Sequence, residues 1–351
     1  MTTFQRIIYL VFFLIISVSL LAQERELNSN GNLDELAIEL SKNHPEATLS
    51  VYAFNKEAEY QKILKSGKFI EGKSYNYEIG SVTKSFNALL ILSLINGDYE
   101  SLNEKVGIYF PAFSKSVQDI TILQLLNHSS GLPANFSTFN FGKDPTAKLT
   151  DAMVNKWFKK EKISNKKVGQ FKYSNVGYAL LGMVLEKKFG ATWSDLIESN
   201  ILRKGMEKSY VYSSEKTNVS GLAGFSGKGK SVDTWAFNRY ISAGGIISNV
   251  DDLKTYLGMT RQYKNVLQNE AYWNPMEGKS NFSIGWVVDK LSDEINYYWH
   301  NGQTNGFSSY IGWIEKMDLG LIILVNKSIE IDDNAITLLN ALISHDNAVV
   351  K

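Results

Sequence analysis

The sequence predicts an α/β protein of the α+β kind, with one antiparallel sheet built from both chain ends, flanked by helices, and a mostly helical part inserted between them. Three observations carry this expectation. Strand-like runs cluster at the two ends, helical periods fill the middle, and 351 residues with 44% hydrophobic content suffice for a large core.

The elements follow in chain order. Residues 33–40 read as a short amphipathic helix with Leu33, Leu36, Ile38 and Leu40 as its apolar positions. Residues 47–54 and 60–64, joined by the polar stretch 55–59, read as a hairpin. Helical periods then occupy 86–95, 122–127, 151–158, 178–188, 193–201 and 250–257. The segment 213–231, with glycine and lysine alternating at 227–230, reads as a mobile loop. Four strand-like runs, 282–288, 295–300, 308–314 and 319–325, precede a last helix at 331–345. The implied organisation is a sheet domain made of 33–84 and 260–351, with a helical domain over 85–259. A polar, disordered linker at 23–32 precedes them.

The composition narrows the chemistry. The 37 basic and 36 acidic side chains nearly cancel, and no run of one sign occurs, so capture of nucleic acid or an anionic membrane has no support. A small-molecule or peptide substrate is expected, and a monomer. With no cysteine, thiolate nucleophiles, disulfides and cysteine-ligated zinc are excluded. The four histidines, at 44, 128, 300 and 345, form no ligand pair at helical spacing, so no metal or other cofactor is expected. At the N-terminus, Arg6 precedes an apolar run over 7–21 that ends at Ala22, the layout of a secretory signal. Cleavage after Ala22 and a periplasmic or secreted protein are expected. Leu20 stands where a small residue is preferred, so an uncleaved membrane anchor is the alternative, and the one route to a membrane.

A covalent nucleophile must therefore be sought elsewhere. Ser-x-x-Lys begins at three places, Ser81, Ser164 and Ser213. Ser164 lies in a lysine-rich polar stretch and Ser213 in the expected loop. Ser81-Val82-Thr83-Lys84 instead follows Gly80 and opens the apolar run 86–95, which stops at Asn96-Gly97 as a helix does. Residues three apart at a helix start share a face, so the Lys84 amine reaches the Ser81 hydroxyl. The free N–H groups there suit a developing oxyanion. A neutral lysine amine is the base such a serine needs, and burial is what makes it neutral. The competing reading is that Ser81 caps a core helix and Lys84 is solvated.

Tyr173-Ser174-Asn175 precedes a second apolar helix, and His300-Asn301-Gly302 lies in a strand near the C-terminus. Ser-x-x-Lys, Tyr-x-Asn and Lys- or His-x-Gly, in this order, resemble the signature of penicillin-recognising serine enzymes. The Tyr-x-Asn form is similar to class C β-lactamases and their D-alanyl-D-alanine carboxypeptidase and esterase relatives. Lys65-Ser66-Gly67 and Lys167-Val168-Gly169 fit the third element locally but precede Tyr173. Residues 120–133, 242–253 and 284–286 also resemble the family, so the resemblance runs from about residue 35 to about residue 345. Lys204 before Gly205-Met206 departs from a Pro-Leu-Gly-Met turn in relatives and concerns packing. His128 reads as a structural turn residue.

The resemblance implies a β-lactamase/transpeptidase-like fold and assigns roles. Ser81 is the nucleophile, Lys84 its base, and Tyr173 a second proton relay. Asn175 anchors both lysine and substrate, and the backbone N–H groups of Ser81 and Gln303 form the oxyanion hole. His300 and Gly302 bind substrate, glycine being required so that substrate can approach the strand. The implied activity is an exported serine hydrolase acting through an acyl-enzyme on an amide or ester. Histidine replaces a lactamase lysine and, with an unperturbed pKa of about 6.5, attracts carboxylates less near neutral pH. D-amino-acid peptides or small esters are therefore favoured over β-lactams. The alternatives are a true class C-like β-lactamase and a non-catalytic peptidoglycan-binding module.

Overall fold

The computed structural model describes residues 32–72, 74–136, 148–213 and 222–349. The expected signal, all of the linker except Asn32, and positions 214–221 of the expected loop lie outside the described residues. Asn32 itself opens helix α1 (Asn32–Asn43).

Among the described residues, a nine-stranded antiparallel sheet forms the floor of the molecule. Its order is β3 (Lys68–Phe69), β2 (Glu59–Lys65), β1 (Thr48–Phe54), β14 (Leu319–Val325), β13 (Ser308–Ile314), β12 (Ile295–Gln303), β11 (Val287–Ser292), β10 (Asn281–Phe282) and β9 (Asn274–Pro275). The N-terminal hairpin therefore docks on the last strand of the chain, with Val51 opposite Ile323. Both ends of the sequence must be present for the sheet to close. The smaller strands β4 (Tyr77–Glu78), β5 (Tyr210–Val211) and β8 (Ile246–Ser248) make a second sheet, and β6 (Gly224–Phe225) pairs with β7 (Ser231–Val232). The glycine and lysine stretch at 227–230 is the turn of that ribbon.

The sheet is covered on both faces, which explains why β14 reads Leu319-Gly320-Leu321-Ile322-Ile323-Leu324-Val325 with no polar position. Strand side chains alternate in direction, so Leu321, Ile323 and Val325 pack under α1 and the C-terminal helix Asp332–Val349. Ile322 and Leu324 face the helical part, with Val82, Phe86 and Trp286. On β12, Tyr298 joins that second cluster, and by the same period of two His300 and Gly302 share its face.

The helix that carries Lys84, Thr83–Ile95, is apolar nearly all round and buried on every face. Its one internal amide, Asn87, is fully used: Nδ2 donates to the carbonyls of Thr83 at 3.0 Å and Ser242 at 2.7 Å, and Oδ1 accepts from Trp193 Nε1 at 2.7 Å. Helix Asn175–Phe189 packs beside it and is capped by Ser174, whose hydroxyl accepts from the Gly177 N–H. Two expected elements are broken. The run 282–288 is two strands, because Gly285 adopts φ +72° and a Cβ there would sit 3.0 Å from the Lys84 carbonyl oxygen. The chain kinks at this glycine and sends Ile284 and Trp286 into the core. The helix expected over 193–201 ends at Ile197 and continues as a π-helical turn, Glu198–Leu202.

Candidate active site

Ser81 sits where the helix Thr83–Ile95 meets the sheet. Gly80–Val82 form a 3₁₀ turn, and the α-helix begins only at Thr83 with Val82 as an N-cap that makes no side-chain bond. The Ser81 hydroxyl is therefore not spent on capping, and the solvated-lysine reading fails as well. In 3₁₀ geometry residues three apart eclipse, which brings Lys84 over Ser81. Lys84 Nζ lies 2.9 Å from Ser81 Oγ and donates to the Ala243 carbonyl at 2.7 Å. Its side chain is 0% exposed, and no carboxylate is among these partners. Burial holds its pKa well below that of an ordinary lysine, since an ammonium here has lost its hydration.

Tyr173 approaches from the opposite side and donates its hydroxyl to Ser81 Oγ at 2.7 Å. Burial raises its pKa, the Ser81 bond opposing this, so the phenol is protonated at neutral pH. Lys84 Nζ also lies 5.0 Å from the centroid of the Tyr173 ring and 5.5 Å from that of Tyr178. Serine, lysine and tyrosine thus form one contiguous hydrogen-bonded set centred on Ser81 Oγ, in which burial favours the neutral form of the lysine amine.

Strand β12 completes the site through its backbone. A Cβ on Gly302 would stand 2.0 Å from the Ile79 carbonyl oxygen and 2.9 Å from the Ser81 nitrogen, so no other residue fits without movement. A Cβ on Gly80 would stand 2.9 Å from the Gln303 nitrogen. The Ser81 and Gln303 main chains are therefore side by side, and the Ser309 hydroxyl pins the junction by donating to the Ile79 carbonyl at 2.7 Å.

Two side chains sit differently from the sequence expectation. Asn175 does not hold the lysine: its amide donates to Asn135 Oδ1 at 3.0 Å, and the Ala243 carbonyl takes the lysine instead. Ala243 escaped notice because a backbone acceptor carries no residue signature, although the surrounding run Ser242-Ala243-Gly244-Gly245 did stand out. His300 is 2% exposed, beside Phe282, with Nδ1–H donating to the Asn301 carbonyl at 2.6 Å. Burial, then the nearby Lys84, lowers its pKa to about 3, so it does not titrate near 6.5. Arg239 is paired with Asp151 and Glu186, and Arg261 with Asp318, so neither guanidinium is committed to the site. Of the rival Ser-x-x-Lys pairs, Ser164 and Lys167 are exposed, and Lys216 lies outside the described residues.

Solved structures share this fold. The solved octameric penicillin-binding protein homologue from Pyrococcus abyssi superposes with a TM-score of 0.75 at 24% identity, over 90% of this chain and 78% of that one. A β-lactamase/D-alanine carboxypeptidase from Pseudomonas syringae does so with a TM-score of 0.73 at 16% identity, over 90% and 98%. Both likenesses show the fold. In sequence, Protein flp of Staphylococcus aureus (strain MW2) is 26% identical over 301 residues, which is 76% of this chain but 59% of that protein's length. The model of the Beta-lactamase family matches residues 76–344, a span that holds Ser81, Lys84, Tyr173 and the Gly302–Gln303 backbone in the order and proximity just described, and the chain belongs to the Beta-lactamase family.

Proposed function

We propose that this protein cleaves an amide or ester by acyl transfer from substrate to Ser81 and then to water. The observation that carries the proposal is Ser81 Oγ held between Lys84 Nζ at 2.9 Å and the Tyr173 hydroxyl at 2.7 Å, with the lysine wholly buried. Ser81 Oγ attacks the carbonyl carbon while its proton passes to the Lys84 amine. The oxyanion is received by the N–H groups of Ser81 and Gln303. When the tetrahedral intermediate collapses, the proton held by Lys84 returns through Tyr173 to the leaving nitrogen or oxygen. Water activated by the same pair then releases the acyl group and restores Ser81.

Small uncharged esters are the favoured acyl donors, ahead of β-lactams and of peptides ending in a D-amino acid, both of which carry a carboxylate. A neutral His300, and arginines bound elsewhere, supply no cation opposite such a carboxylate. Asn175, Gly302 and His300 are assigned to the substrate side of the site, Gly302 through its main chain, since the space its missing Cβ leaves is taken by the Ile79 and Ser81 main chains. The N-terminal charge and apolar layout supports export to the periplasm or beyond, and N-terminal sequencing of the mature protein tests that part.

The chemistry is tested by treating the protein with a fluorophosphonate probe and mapping the adduct by mass spectrometry. Label on Ser81, abolished in Ser81→Ala, is expected. Label on Ser164 or Ser213, or reaction undiminished in Ser81→Ala, rejects the assignment, and an unreactive wild type favours the non-catalytic module. Comparing kcat/KM for p-nitrophenyl acetate, a D-Ala-D-Ala peptide and nitrocefin tests the substrate class, with the uncharged ester expected to be the best of the three.

A further inference from the structure

His128 belongs to none of the roles assigned above, yet it touches the segment that carries Tyr173 at two points. Its main-chain carbonyl accepts from the Lys172 N–H at 2.8 Å, and its Nδ1 accepts from the Ser174 N–H at 3.1 Å. These are the residues on either side of Tyr173. Its ring lies against the Tyr173 ring, centroids 4.4 Å apart, and against Phe282 at 4.5 Å. The side chain is 1% exposed, and its backbone is left-handed at φ +60°, which is uncommon for histidine. That conformation turns both the carbonyl and the ring toward 172–174.

We propose that His128 is a positioning residue that clamps Tyr173 from both sides and sets the distance between its hydroxyl and Ser81. An amide N–H can only donate, so the bond from Ser174 requires a lone pair on Nδ1 and fixes the neutral tautomer with its proton on Nε2. Nε2 is buried and has no hydrogen-bond partner among the described residues. Burial, then the nearby Lys84 and His300, lowers the His128 pKa well below the ordinary value, in keeping with that tautomer. Tilting the Tyr173 ring displaces either the stacked His128 ring or the 172–174 backbone, and that backbone is tied to the same residue in its left-handed turn. Further ties run from the Gly169 N–H to the Ser129 carbonyl at 2.8 Å and from the Asn175 N–H to the Ala134 carbonyl at 2.9 Å. The His128 side chain is the contact nearest to the relay, because it alone among these both bonds the segment and stacks on the tyrosine.

The inference rests on the relay role proposed for Tyr173, and the experiment separates the two. The rate of Ser81 acylation by a fluorophosphonate is measured for wild type, His128→Gln, Tyr173→Phe and the double variant, with adduct mapping and near-ultraviolet circular dichroism for each. Glutamine places its acceptor one bond beyond the Nδ1 position and loses the clamp. His128→Gln is expected to slow acylation by about tenfold or more in wild type and by less than about threefold in Tyr173→Phe. His128→Asn, which tolerates φ +60° and presents Oδ1 where Nδ1 was, is expected to recover to within about threefold of wild type. An equal factor for His128→Gln in both backgrounds overturns the clamp and leaves a merely structural histidine. A Tyr173→Phe change without effect on the wild-type rate rejects the relay itself. If His128→Gln does not fold, His128→Asn decides alone: the cost of Tyr173→Phe must persist in it, and a folded His128→Asn in which that cost has vanished, or one that does not fold, overturns the inference.

Discussion

The base role proposed for Lys84 rests on where the side chain is, and its titration is the most direct readout of that position. Its pKa is depressed by burial, so the neutral amine forms at a lower pH than for a solvated lysine, about 10.4. Acylation of Ser81 is expected to rise with pH through the depressed value and to be flat well before pH 10. A limb with its midpoint near 10.4 would contradict the buried-base assignment. The same shift has a stability sign. Between the depressed pKa and about 10.4 the unfolded chain binds a proton that the native state does not, so the cost of burying Lys84 shrinks as pH rises across that window. His300, held near 3, adds no step between pH 5 and 9. A gain in carboxylate-substrate cleavage by His300→Lys is therefore expected to be as large at pH 6 as at pH 8, where a surface histidine would have made it pH-dependent. The profile of kcat/KM for a D-Ala-D-Ala peptide in both proteins measures this.

At the scale of elements, the site is a junction between a helix start and a strand, and glycine permits the junction. Gly302 of β12 meets Ile79 and Ser81 main-chain atoms that cannot rotate away, unlike a flexible side chain. Gly302→Ala is expected to force the strand from the helix start, costing roughly 1–3 kcal/mol of stability as overpacking does. It should also slow acylation strongly, because Gln303 N–H moves with the strand. Urea denaturation and the fluorophosphonate rate, taken together, check this; an alanine variant with unchanged midpoint and rate would show that the approach is looser than described. The helix Thr83–Ile95 is fixed independently by Asn87, whose bonds to Ser242 and Trp193 hold the Ala243 carbonyl region against Lys84.

At the scale of the whole molecule, the C-terminal helix is as much a part of the core as the N-terminal hairpin. The C-terminal helix covers the sheet face opposite the active site and buries Ala335, Leu338, Leu339 and Leu342 against α1 and β14. Each leucine contributes about 2 kcal/mol, so the three together approach the 5–15 kcal/mol that stabilises a typical domain. A chain ending at residue 331 is expected not to fold, judged by loss of the near-ultraviolet circular dichroism signal and of fluorophosphonate labelling. A truncated protein that still labels at Ser81 would show that the covering helix is dispensable.

The fold class was legible in the sequence, and so were the residues proposed to react, because strand and helix periods are local and the motifs that carry these residues keep a fixed order along the chain. Strand runs at the ends and helical periods between them set the architecture, and the spacing of Ser81 and Lys84 lies within one turn. The order of Tyr173 and Gly302 after them supplied the remaining elements. What tertiary structure decided are the quantities that depend on neighbours distant along the chain. The anchor of Lys84 is the carbonyl of Ala243, 159 residues away, and not the Asn175 amide. The charge of His300 follows from burial beside Phe282 and Lys84, which no feature of its own strand reveals. The break at Gly285 and the clamp at His128 likewise arise from contacts across the fold. Residue type and spacing specify which groups can react, whereas their protonation states and partners are set by packing, and packing here joins segments that the chain keeps far apart.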